Sequence, residues 1–129
     1  MVRRFAAEHF ENTIEINFDK DPQKSGLITT DVKLSLRYLS VDSGQKIISG
    51  KTLLFLDEIQ NAPQVLHALR YFYEELPDLH IIATGSLLDF ILEDHQFSMP
   101  VGRIFYYHLG PMSFEEFLLA NQEEGLFEL

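Results

Sequence analysis

Residues 52–60 read TLLFLDEIQ, and the fold turns on this stretch. Thr52 leads into four large apolar residues, Leu53-Leu54-Phe55-Leu56, which stop abruptly at Asp57-Glu58. A strand with one wet face alternates apolar and polar residues, and this run does not. An unbroken apolar run this short fits a strand covered on both faces, as inside a parallel sheet. Two other segments belong with it. Residues 80–84, HIIAT, form a second buried run, closed by Gly85-Ser86. Residues 13–19, TIEINFD, place Ile14, Ile16 and Phe18 on one face of a strand.

Helical spacing fills the intervals. Residues 30–41 set Val32, Leu36 and Leu39 on one face; residues 64–76 do the same with Val65, Leu66, Leu69, Phe72 and Leu76, and Pro77 stops them. DKDPQKSG reads as a loop and DSGQ as a turn. Residues 2–10 read as the tail of a helix with no start signal ahead of it, as if the chain began inside an element. Residues 87–95 read as helix, and RIFYYHL at 103–109 reads as a fourth strand. Ser113 and Glu116 form the S-x-x-E capping box of a last helix over 114–121. Alternation of this kind predicts an α/β fold of three layers, a parallel sheet with helices on both faces. Ligands in such sheets sit beyond the carboxyl ends of the strands, where Asp57-Glu58 and Thr84-Gly85-Ser86 fall.

Composition narrows the classes. The chain has 129 residues, one domain's worth, with 46% hydrophobic and 23% charged residues, so a packed core is expected rather than disorder. Lys and Arg number 10 against 20 Asp and Glu; a net charge of -10 repels phosphate backbones and argues against autonomous binding to duplex nucleic acid. Cysteine is absent, which excludes disulfides and thiolate metal sites and fits a reducing cytoplasm, the expected location. No apolar run approaches the ~20 residues of a membrane span, and MVRRFAAEHF lacks the apolar core of a signal peptide. The five histidines have no metal-ligand spacing.

The acidic pair carries the most specific chemistry. An Asp at a strand tip can hold Mg²⁺, usually through water, beside nucleotide phosphates. A carboxylate one residue on points elsewhere and can polarise an attacking water. An apolar strand ending in such a pair is the pattern of a Walker B motif. The plainer reading makes Asp57 the cap of the next helix. A hydroxyl at the tip of the neighbouring strand can contact a γ phosphate or the attacking water. Its plainer reading is a helix cap by Ser86 and a turn eased by Gly85.

Together, TLLFLDEIQNAP at 52–63, HIIATGSLL at 80–88 and GRIFYYHLGPMSFEEFLLA at 102–120 resemble the ATP-binding domain of a prokaryotic family among the AAA+/archaeal-type P-loop ATPases. The resemblance implies a P-loop NTPase-like fold, ATP and Mg²⁺ as ligands, and hydrolysis by the complete domain. It makes Asp57 the metal residue and Glu58 the catalytic base. Thr84 or Ser86 would be the sensor, and the spacing does not choose between them. Arg103 of the GR segment would reach a γ phosphate, in its own or a neighbouring subunit; a surface ion pair is its alternative. Gln60 belongs to the signature without an assigned role. Relatives carry a C-terminal domain, so such a domain or a protein partner is the expected companion.

One departure matters. No G-x-x-x-x-G-K-[ST] phosphate loop occurs anywhere in the 129 residues. Gly50-Lys51-Thr52 spells its end, but the required first Gly falls on Gln45, and the segment runs into a strand rather than a helix. The expectation is a partial AAA-type core over 1–129 that lacks the first, P-loop strand and does not hydrolyse ATP unaided. In the family that strand lies between the sensor strand and the last strand. Either the last strand closes against the sensor strand or the chain is marginal or aggregation-prone. The alternative function is a non-catalytic remnant or interaction module of the same fold.

Overall fold

The structure is a computed structural model and describes residues 1–86 and 102–121. The three apolar segments form three parallel strands, β1 (Asn12–Asn17), β2 (Thr52–Asp57) and β3 (His80–Ala83), in the order β1-β2-β3. Register runs from Asn12 opposite Thr52 to Asn17 opposite Asp57, and from Leu53 opposite His80 to Leu56 opposite Ala83. All three strands therefore finish at one edge, with Asn17, Asp57 and Thr84 side by side.

Helices cover both faces. The helices are α1 (Val2–His9), α2 (Val32–Ser43), α3 (Pro63–Glu75) and α4 (Phe114–Ala120). On one face Ile14, Ile16, Leu54 and Leu56 pack with Val32 and Leu39 of α2 and with Val65, Leu66, Leu69 and Phe72 of α3. The opposite side-chain parity faces α1: Arg3 bonds to Glu15 at 2.6 Å, and the rings of Phe10 and His80 lie 5.2 Å apart. Covered from both sides, Leu53 is 0% and Phe55 6% exposed. This is the three-layer α/β arrangement that the apolar run at 53–56 predicts.

Local chemistry sets the helix ends. The Asp31 carboxylate accepts from Leu34 N, and Gly44 closes α2 in the left-handed region at φ 66°, a conformation that costs glycine nothing. The helix thus runs on through Asp42 and Ser43, which the sequence reading gives to the turn. Pro63 starts α3, and the helix ends before Pro77. Ser113 and Glu116 make both bonds of the predicted capping box. The loop DKDPQKSG contains a 3₁₀ turn, Pro22–Leu27.

Gly50-Lys51-Thr52 lies at the other end of β2 from Asp57. Gly50 N donates to Asp78 O at 2.8 Å, and Lys51 N and Thr52 N both donate to Ile48 O. The Thr52 hydroxyl donates to Asn12 Oδ1 at 2.7 Å. Amides so committed to main-chain carbonyls make no phosphate cradle, in keeping with the sequence reading.

Two expectations fail along β3. The run HIIAT is not buried: His80 is exposed and Ile81, Ile82 and Ala83 are half-buried. RIFYYHL forms no strand, and Phe105 and Tyr107 stand 91% and 89% exposed. The causes are linked. Thr84 N donates to Leu56 O, so by strand parity the N–H and C=O groups of Ile81 and Ala83 point to the outer edge, where no described residue pairs with them. With no described neighbour on that edge, β3 is covered less completely, and RIFYYHL does not take the place beside it. A groove of about 880 Å³ follows the edge, lined by Phe5, Leu69, Tyr73, Ile82 and Ile104 among others. The helix expected over 87–95 lies outside the described residues.

Candidate functional site

Asp57 stands where the three strands end, and its carboxylate is held by three donors. Asn17 Nδ2 donates to Oδ2 at 3.0 Å; Thr84 Oγ1 and Glu58 N donate to Oδ1 at 2.6 and 3.0 Å. The plainer role, capping the next helix, is not what the side chain does: α3 has Ala62 at its N-cap and no side-chain cap. Thr84 is fixed in turn, donating its N–H to Leu56 O at 2.8 Å and accepting from Ile59 N at 3.0 Å.

Asn17 is a residue the sequence reading missed. Its Oδ1 accepts from Asp19 N and Lys20 N, an Asx turn that swings the chain away after β1. That use of the oxygen leaves the amide nitrogen aimed across the sheet at Asp57. The available signal was Asn followed by Phe18-Asp19-Lys20, a strand end rather than a strand interior. Replacing Asn17 by Ala removes a bond to a charged group and the turn together. The expected cost is about 1–3 kcal/mol, read as a lower urea midpoint with unchanged slope.

Glu58 follows in an uncommon conformation. At φ 57° and ψ 45° it is the sole non-glycine residue with positive φ among the described residues. This kink ends β2 and starts a short 3₁₀ turn, Ile59–Asn61, so the two adjacent carboxylates diverge. The Glu58 carboxylate accepts from Gln60 Nε2, which also lies 3.4 Å from Ser86 Oγ. The structure therefore separates the two sensor candidates: Thr84 touches Asp57, and the exposed Ser86 touches Gln60.

Arg103 is not brought to this cluster. Its guanidinium pairs with Glu74 at 2.9 Å, near the end of α3. Because α3 leaves the Asp57 edge at Pro63, Glu74 lies toward the opposite end of the sheet. The hydrogen bond from Arg70, reinforced by Arg103, holds the Glu74 carboxyl below its ordinary value.

The donor set fits a hydrated divalent cation. A carboxylate offers about four lone-pair positions, and three donors already engage Asp57, leaving room on Oδ2. No group of three or more His, Asp or Glu residues suited to a metal occurs among the described residues. Hard oxygen donors that are too few to form a cage suit Mg²⁺, which keeps waters and completes its shell with phosphate oxygens. Among the described residues no helix is long and apolar enough to cross a membrane.

Comparison with known proteins gives one match. A protein-family model described as an AAA domain covers residues 1–118. No curated protein and no solved structure matches the chain.

Proposed function

We propose, from the premise that the chain belongs to this AAA domain family, that the Asp57 edge is the Walker B and sensor half of an ATP-hydrolysing site. The observation that carries this is the Asp57 carboxylate, oriented at the sheet's C-terminal edge by Thr84 and Asn17 with Glu58 beside it. Asp57 would hold Mg²⁺ through water, and the ion, when bound, neutralises charge on the β and γ phosphates. Glu58 would accept the proton of the attacking water. The hydroxyl chemistry divides the sensor roles. Thr84 spends its one proton on Asp57 and so orients the metal residue. Ser86 accepts from Gln60, keeps its own proton, and is the hydroxyl able to donate to a phosphate oxygen.

The phosphate cradle is assigned to a strand and Gly-rich loop set along the outer edge of β3, where Ile81 and Ala83 have no backbone partner among the described residues. For Arg103 this reading leaves the γ phosphate of a neighbouring subunit, which would have to replace Glu74 as its partner. A cytoplasmic location and a C-terminal domain or protein partner belong to the same proposal. A second reading, an interaction module without nucleotide chemistry, draws on the exposed Phe105, Tyr107, Leu109 and Met112.

Calorimetric titration of the folded 129-residue chain with ATP and Mg²⁺ tests the assignment. The two carboxylates alone present negative charge to an anionic ligand, so binding weaker than about 100 μM is expected. Tighter binding would place a phosphate site within these residues and overturn the split. If a chain completed with the strand and phosphate loop also binds no ATP, the interaction module is the surviving reading.

A further inference from the structure

Gln60 joins the acidic pair to the loop after β3. Its Nε2 donates to Glu58 Oε2 and reaches toward Ser86 Oγ, while its Oε1 is buried with no hydrogen-bond partner among the described residues. Three further bonds close the circuit: Ile59 N donates to Thr84 O, and Thr84 Oγ1 and Glu58 N both donate to Asp57 Oδ1.

Two unfavourable features meet here. An amide facing a carboxylate must present its NH₂ end, because the carbonyl end would set two acceptors against each other. That orientation is what leaves Oε1 buried and orphaned, and buried acceptors are rarely left so. One residue away from Asp57, the Glu58 backbone occupies the left-handed region that residues with a Cβ avoid. Both costs are local, and both are incurred by the arrangement that brings Glu58 against Gln60. The kink also seats Ile59 and Ala62 in the core, but the orphaned Gln60 Oε1 has no such return and points to a demand for geometry.

We propose that Gln60 is a positioning residue whose side-chain amide fixes the pose of the Glu58 carboxylate. The inference rests on the reading of Glu58 as the base that acts on water. Its observable, the order of one side chain, does not depend on nucleotide.

The test is ¹³C relaxation of the Glu58 side chain in the 129-residue chain, wild type against Gln60→Leu. In the wild type Glu58 Cγ should be as ordered as the β2 backbone. In Gln60→Leu it should become as mobile as the side chain of the exposed Glu75, while the backbone shifts of Asp57 and Thr84 stay in place. A Glu58 side chain already mobile in the wild type, or still ordered in Gln60→Leu, overturns the proposal. Should the variant fail to fold, hydrogen exchange at Gln60 Nε2 in the wild type decides. Exchange at least roughly 10-fold slower than at the exposed Gln64 is expected, and equal rates overturn the proposal. Neither readout involves ATP, so a failed titration leaves this result standing, and a mobile Glu58 leaves the titration standing.

Discussion

Supplying a strand and a G-x-x-x-x-G-K-[ST] loop ahead of Met1 should give a chain that turns over ATP, and Glu58→Gln in that chain should remove the turnover. The expected loss in kcat is roughly 10²–10⁴-fold, the usual contribution of a positioned general base. Glutamine preserves the shape and the hydrogen-bonding reach of the side chain but cannot take a proton. ATP affinity should therefore stay within about twofold, because the interaction removed acts on the transition state. Asp57→Ala in the same chain should differ in kind, since it removes the residue proposed to hold the metal and leaves the donors Thr84 and Asn17 without this acceptor. Undiminished turnover in Glu58→Gln would take the base role from Glu58. Lost affinity would mean that the carboxylate binds rather than reacts.

Phe18→Ala should bring the largest loss of stability. Phe18 follows β1, is 0% exposed, belongs to the core shared with α2 and α3, and donates its N–H to Asp57 O at 3.0 Å. Truncating a buried Phe costs about 3–5 kcal/mol through lost transfer energy and the cavity left behind. Typical domains hold a margin of only ~5–15 kcal/mol. The urea midpoint should collapse, and the exchange protection of Asp57 and Thr84 amides should fall with it. Phe105→Ser, at a side chain 91% exposed, should stay within about 0.5 kcal/mol of the parent. Equal midpoints for the two variants would contradict the core described here.

What the sequence revealed depended on whether the information was local. Leu53 to Leu56 announce a two-face strand because the run itself excludes alternation. Ser113 and Glu116 announce a helix start because both bonds form within four residues. Asp57 and Glu58 are legible for the same reason, as a pair at the end of that run. RIFYYHL has the composition of a strand, but composition does not record whether the segment docks on an edge, and here it leaves the outer edge of β3 open. HIIAT was read as buried by the same omission. Asn17 escaped notice because its partner is 40 positions away and the two meet only through the strand register. The separate contacts of Thr84 with Asp57 and of Ser86 with Gln60 are likewise a matter of which chain segments adjoin.

The polar contacts between β1 and β2 have a further consequence. In most sheets a slip of one residue sends the apolar set to the wrong face, and that penalty specifies the alignment. Leu53-Leu54-Phe55-Leu56 is apolar on both faces, so in this pair that penalty rests on β1, whose Ile14 and Ile16 share one face. Polar contacts at the two ends of the pair add to it. Thr52 bonds to Asn12 across one end and Asp57 to Asn17 across the other, each between residues directly opposite in the ladder. Displacing one strand by a single step breaks both at once and leaves the buried Thr52 hydroxyl and the half-buried Asp57 carboxylate without these partners. The Asp57 carboxylate, proposed to hold the metal, thus also helps to fix the alignment of β1 against β2.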